Sequence, residues 1–276
     1  MARPGPDGDS TPNGYAAVQA SPLVDGAQTT TLGSWKELEQ VVHAATPVGR
    51  NWIWRGQRQD WPLTPKLYRE GYLKSSANPA DACVDHLRVF KSACRGRRGQ
   101  SPPEIPDDLE WWALGQHNGL ATPLLDWTES PFVAAFFAFE RDEPPSSGMR
   151  AVYALNRAAI DHPIGADPLM NDDSSDRNAR GYMGLFTPES GENSRLISQS
   201  GLLTYGPVET DVESWIKSRF KSDVDMMVFL RILIPDSGRT DLLMYLNRMN
   251  INHMSMFPDL YGAGRFSNMR LQIPGY

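Results

Sequence analysis

Ser130-Pro-Phe-Val-Ala-Ala-Phe-Phe-Ala-Phe139 is the stretch around which the fold has to be built. Serine followed by proline is a helix start, because the hydroxyl can cap an exposed N–H and proline suits the first helical position. The body from Phe132 to Phe139 carries no helix-period polarity, so it predicts a central helix buried on nearly all sides. It is also the longest continuous apolar run, far short of the roughly 20 residues that a membrane-spanning helix needs.

Working outward toward the N-terminus, Gln116 to Glu129 crowds amide, imidazole, hydroxyl and carboxylate groups into what reads as a turn between helices. The preceding helix starts at Asp107 or Asp108 and closes at Gly119; another runs from about Asn78 to Arg95, entered at Pro79. Asn51-Trp-Ile-Trp-Arg55 has the aromatic and β-branched weight of a strand stopped by Gly56. Ser34-Trp-Lys-Glu37 is a capping box that opens a helix to about Ala45. Residues 1–30, rich in Gly, Pro, Ser, Thr and Asp, are expected to be a disordered tail.

Toward the C-terminus, Arg150–Leu155, Arg195–Tyr205 and Met226–Ile234 read as strands, with a polar loop or insertion over 161–180. A helix over Asp236–Asn250, with Asn252 near its C-terminus, and a short helix after Pro258 complete the chain. Strands and helices mix without βαβ alternation or repeats, which predicts a single α+β domain over residues 31–276.

With 27 Lys+Arg against 33 Asp+Glu the formal net charge is −6, which argues against a general nucleic-acid or membrane-surface binder. A nuclease ranks last among the functions weighed, since neither a carboxylate-rich metal cluster nor a basic groove is signalled. Cys83 and Cys94 fall in one predicted helix, separated by about 16 Å of rise, so they cannot bridge each other, and no metal site is expected. Neither an apolar secretory core nor a myristoylation glycine stands near Met1, so a cytoplasmic location is expected.

Three segments can carry chemistry. Arg55 at a strand end offers a planar fork for phosphate or carboxylate, with Gly56 letting a ligand approach the backbone; alternatively Arg55 is a structural ion-pair residue. His117, Thr122, Asp126 and Thr128 lie in the polar stretch, where the plainer readings are a satisfied helix-terminal histidine and ordinary capping of the Ser130 helix. Gln199 sits in mid-strand beside Gly201, on one face with Arg195 and Ile197. Arg55, His117, Asp126 and Gln199 are expected to converge on one pocket.

Trp54-Arg55-Gly56, Gln116-His117-Asn118-Gly119-Leu120, Thr122, Leu124-Leu125-Asp126-Trp127-Thr128, Gln199-Ser-Gly201 and Met256-Phe257-Pro258-Asp259-Leu260 together resemble the ordered motifs of the FRG domain, over roughly residues 35–265. The chain departs from the family at Trp54, where Phe or Tyr is usual, at Ala121 for Pro, and at Pro123 for Arg. The resemblance implies a component of bacterial or phage-conflict loci. A remoter similarity of motif order to the ADP-ribosyltransferase superfamily implies a split sheet with flanking helices and an NAD site.

In that analogy Arg55, with Gly56, binds the NAD diphosphate or ribose. His117 or Thr122 lines the nicotinamide pocket beside Thr128, and Gln199 takes the third motif position. Gln199 orients a ribose hydroxyl but cannot supply a charge, so Asp126 or a Glu such as Glu209 would help. The implied function is an NAD-dependent ADP-ribosyltransferase or glycohydrolase, acting as a toxin or antiphage defence effector without a metal. The rival is a non-catalytic nucleotide-binding or phage-sensing module. Either is implied to work alongside partner proteins of a defence locus, with an unknown protein or nucleic-acid acceptor.

Overall fold

The computed structural model describes residues 18–45, 51–69, 71–73, 76–161, 183–188, 199–220 and 226–276. Its first half runs β1 (Gln19–Ala20), β2 (Ala27–Thr31), α1 (Leu38–Ala45), β3 (Trp52–Gln57), α2 (Lys66–Arg69), α3 (Pro79–Ala93), α4 (Asp108–His117), β4 (Leu124–Thr128) and α5 (Pro131–Phe139). The second half runs β5 (Met149–Asn156), α6 (Ala158–Asp161), β6 (Gly184–Phe186), β7 (Gly201–Tyr205), α7 (Val212–Arg219), β8 (Phe229–Pro235), α8 (Arg239–Arg248), α9 (His253–Met256) and α10 (Leu260–Gln272).

The helix starts follow from local chemistry. Asn78, Asp107 and Ser130 each accept a bond from a first-turn N–H, and Pro79 and Pro131 follow two of them where a missing N–H costs nothing. At Ser34 the reciprocal box is shifted by one residue. Ser34 accepts from Lys36 N, while Glu37 reaches back to Gly33 N at 2.9 Å. Cys83 lies within α3 and Cys94 caps its end; neither is in a disulfide, and burial raises the pKa of the Cys83 thiol.

The strands form one mixed sheet in the order β1-β2-β8-β5-β3-β4-β7-β6, antiparallel throughout except for β2 against β8, so the domain is α+β. Central β5 is buried from Arg150 to Leu155 because both faces are covered. Side-chain alternation sends Trp52, Trp54, Val152 and Ala154 to the layer containing α5 and α8. It sends Ile53, Ala151, Tyr153 and Leu155 to the layer containing Trp215 and Ile216 of α7. A third cluster joins α3 and α4 to Leu124 and Leu203 at the far end of the sheet.

Helix α5 is the centre expected of it, with Ala134, Ala135, Phe136, Ala138 and Phe139 wholly buried. No basic residue occupies its last turn, so its terminal carbonyls are satisfied from elsewhere. Arg150 donates to Ala138 O and Glu143 O, and Arg239 donates to Phe139 O, Glu140 O and Arg141 O.

Several expectations are corrected. Within the tail assigned to residues 1–30, β1 and β2 are sheet strands: the threonines of Ala27-Gln-Thr-Thr-Thr31 are β-branched and β2 pairs along β8; residues 1–17 lie outside the described ones. Leu124–Thr128, read as a turn, is strand β4, since Leu125 and Trp127 alternate into a core while Asp126 faces out. Gly56 does not stop β3, which continues to Gln57. Gln199 sits in a turn before β7, whereas Arg195 and Ile197, like most of 161–180, lie outside the described residues. Asn252 caps the start of α9 rather than ending α8, accepting from Met254 N and Ser255 N. The sheet is continuous, not split, but β3 and β4 are registered at Trp54↔Thr128 alone.

Candidate functional site

Beyond Trp54↔Thr128 the two strands separate, and a cavity of about 880 Å³ opens there. Its walls are Trp54–Arg58 of β3 and the following residue, Asp126–Thr128 of β4, and Ala113, Gln116 and His117 of α4. Ala134, Phe137, Glu140 and Arg141 of α5 and its C-terminal extension line it too, as do Trp61, Lys66, Arg69, Gln199, Leu203 and Phe257.

Arg55 bridges the gap where the strands part. Its Nη1 donates to the Asp126 backbone carbonyl at 2.7 Å and lies 3.8 Å from the carboxylate, and its side chain is 15% exposed. Burial lowers the guanidinium pKa and Asp126 opposes that shift; an arginine so placed remains a cation at neutral pH. Its Nε is buried with no partner, so the guanidinium retains donor capacity beyond its bond to β4.

A polar chain leads away from this point. Gln116 Nε2 donates to Asp126 Oδ1 at 2.6 Å, and Thr122 Oγ1 donates to Gln116 Oε1. Thr122 itself is buried and stands behind the wall, so it acts on the cavity through Gln116 rather than lining it. Gln116, which the motif reading left without a role, fixes the Asp126 carboxylate; its place in the last turn of α4, beside His117, was the available signal.

Thr128 lines the cavity and also latches its neighbour. Its hydroxyl donates to Gln199 O at 2.6 Å and accepts from Ser130 N at 3.2 Å, tying the Gln199 turn to the start of α5. Gln199 in turn donates one amide N–H to Met256 O at 3.0 Å, which leaves its side-chain oxygen and its second N–H for a ligand. Arg55, His117, Asp126 and Gln199 therefore border one cavity, with Gly56 and Thr128 beside them.

What demands glycine at position 56 is α5, not a ligand. A Cβ there would lie 1.8 Å from Ala134 O and 2.6 Å from Ala138 N, so strand and helix backbones are in direct contact. Glu209, named as a possible helper carboxylate, does not border the cavity; the carboxylates that do are Asp126 and Glu140.

The charge balance of the cavity departs from that of the chain. Arg55, Arg58, Lys66, Arg69 and Arg141 face Asp126 and Glu140, a cationic excess inside a protein of net charge −6. Sequence reasoning missed four of these cations because they come from separate loops and helices and meet only through the fold. Aromatic surface accompanies the charge: Trp61 at the rim is 37% exposed with the Arg58 guanidinium 5.2 Å from its ring centre, and Phe137 meets Phe257 edge-on at 6.0 Å. The Trp61 loop is pinned from beneath, its carbonyl accepting from Gln57 Nε2 and Tyr153 OH at 2.9 Å each.

The FRG family matches over the segment that supplies β3, α4, β4 and α5, so both strands of the parting pair lie within it. The FRG domain model matches residues 50–147. This segment is about a third of the chain and narrower than the motif resemblance suggested. It holds Trp54-Arg55-Gly56 and the Gln116–Pro131 stretch, while Gln199 and, of the Met256–Leu260 motif, Phe257 reach the cavity from beyond it. No curated protein and no solved structure matches the chain. In the matched segment Arg55 ties the diverging strands and Gly56 seats α5 against β3. Among the described residues no helix is long and apolar enough to cross a membrane, and no group of three or more His, Cys, Asp or Glu is placed to hold a metal.

Proposed function

We propose that the cavity binds a phosphate-bearing nucleotide, with NAD as the first candidate, and that the protein serves as a toxin or defence effector in the cytoplasm. The observation that carries this reading is the cationic excess at the cavity, five basic side chains against two carboxylates, in an otherwise acidic chain. A diphosphate would engage Arg55 and the cations around it through charge-assisted bonds, and a planar base would find Trp61 at the rim. The volume of about 880 Å³ suits a ligand of dinucleotide size.

Cleavage of NAD, as a transferase or glycohydrolase, is favoured over silent binding by one observation, the presence of two carboxylates at the cavity. Breaking the nicotinamide–ribose bond develops positive charge on the sugar, which a fixed carboxylate stabilises. Asp126 and Glu140 supply that charge, whereas Gln199 supplies only orientation.

Calorimetric titration of the full chain with NAD, ADP-ribose, adenosine and nicotinamide tests the binding. NAD and ADP-ribose are expected to bind, with affinities that fall as salt rises, and the two uncharged fragments are not. Incubation with labelled NAD and cell lysate then reads the chemistry. Nicotinamide release with label transfer marks a transferase, release alone a glycohydrolase, and binding with neither a sensing module. Equal, salt-independent binding of adenosine and ADP-ribose would contradict the phosphate reading.

A further inference from the structure

Glu140 enters the cavity immediately after α5 and is fixed at three points. Its N–H donates to Phe136 O at 2.8 Å, its carbonyl accepts from Arg239 Nη2 at 3.1 Å, and its carboxylate Oε2 lies 3.2 Å from His253 Nε2. A carboxylate only accepts, so the shared proton belongs to His253 Nε2, while Nδ1 is buried without a partner. His253 is wholly buried, packed edge-on to Phe136 at 5.0 Å and stacked with Phe257 at 6.1 Å. A polar ring held so deep in an aromatic slot is oriented in one way, and what it orients is Glu140.

Helix α9, which carries His253, is a single turn closed by a capping box at Asn252, and it also presents Met256 O to Gln199. Helix α10 is pressed against it: a Cβ on Gly262 would lie 1.9 Å from Phe257 O and 2.6 Å from His253 O. The turn before Phe257-Pro258-Asp259 thus sets both Glu140 and Gln199, polar groups contributed from outside β3 and β4. Arg141, 3.8 Å from the opposite carboxylate oxygen, is 64% exposed, so among the described residues it is His253 that holds the Glu140 carboxylate from within.

We propose that Glu140, held by His253 as a positioning residue, is the carboxylate with which this cavity selects ligands carrying a positive charge away from their phosphates. The inference rests on the nucleotide reading above and adds a second recognition point to it. Asp126 accepts from Gln116 Nε2 at 2.6 Å and faces the half-buried Arg55 at 3.8 Å, whereas the arginine at the same distance from Glu140 is the exposed Arg141, which can turn away to solvent. A fixed anion in a basic cavity would repel phosphate, so its use lies with a cationic ring such as the nicotinamide of NAD.

The test compares NAD with ADP-ribose, which lacks that ring, by titration of wild type, Glu140→Gln and His253→Gln, with melting curves for each. Wild type is expected to bind NAD about tenfold more tightly than ADP-ribose, roughly one charge-assisted contact. Glu140→Gln should erase that ratio by weakening NAD, while ADP-ribose affinity rises as the repulsion of its phosphates is relieved. His253→Gln should reduce the ratio without weakening ADP-ribose, whereas a purely packing role would lower the melting temperature and leave the ratio alone. An unchanged ratio in Glu140→Gln, with ADP-ribose still bound, overturns the selection role and spares the nucleotide reading. Failure of wild type to bind either ligand overturns both.

Discussion

Gly56→Ala is expected to abolish the folded state, or to cost more than about 4 kcal/mol of stability, the range reached only by severe mechanisms such as overpacking. The added methyl would stand 1.8 Å from Ala134 O and 2.6 Å from Ala138 N, and both are main-chain atoms of α5. No rotamer change relieves a clash with helix backbone. Strand β3 or helix α5 would have to move, and α5 is anchored at its C-terminus by Arg150 and Arg239 and buried along most of its length. Gly119 is the control: φ is +89° and nothing lies within 4 Å of its added Cβ, so alanine there should cost only the left-handed penalty of about 1–2 kcal/mol. Urea melts of both variants measure the difference, and a loss of about 1 kcal/mol at Gly56 would mean that strand and helix are not in backbone contact.

Arg150→Ala should cost about 3–5 kcal/mol, as expected when one member of a buried ion pair is removed. Arg150 has no exposed surface; its Nε donates to Asp236 at 2.5 Å, its Nη1 to Ala138 O at 2.8 Å and its Nη2 to Glu143 O at 3.2 Å. Its guanidinium also lies 5.2 Å from the centre of the Phe139 ring. Truncation would leave a cavity, two unsatisfied carbonyls and the Asp236 carboxylate facing it. Arg150→Met fills the space without the bonds and should recover part of the loss, whereas equal melting curves for the two variants would assign the whole effect to hydrogen bonding. Because Arg150, from β5, satisfies a terminal carbonyl of α5 next to Glu140, either variant should also loosen the cavity.

The parts of this fold that were readable were those set by neighbours in the chain. Asn78, Asp107 and Ser130 cap the helices their sequences announce, and the uniform apolarity of Phe132–Phe139 marks the buried centre. Errors arose where distant contacts decide. Ala27–Thr31 is polar and short, and becomes a strand because β8 offers a parallel edge. Leu124–Thr128 drew attention for its polar groups, while the strand signal lay in the inward Leu125 and Trp127 between them. Gly56 looked like room for a ligand, but the close approach is to a helix that lies about 80 residues further on.

The candidate site divides in the same way. Arg55, His117, Asp126 and Gln199 were nameable from ordered motifs, whereas Arg58, Lys66, Arg69, Glu140 and Arg141 become cavity residues only through tertiary placement. Thr122 shows the limit of motif reading, since its hydroxyl serves Gln116 behind the wall.

The central claim is that Arg55 presents its guanidinium to a phosphate-bearing nucleotide while bracing the parted strands. Calorimetric titration of ADP-ribose against wild type, Arg55→Lys and Arg55→Ala measures it most directly, with melting curves to register the lost bond to Asp126 O. A compact ammonium cannot keep the fork that reaches both β4 and a ligand, so Arg55→Lys is expected to lose affinity almost as far as Arg55→Ala, about 100-fold or more, in protein that remains folded. Undiminished ADP-ribose binding by folded Arg55→Ala would contradict the account, leaving Arg55 as a strand brace alone.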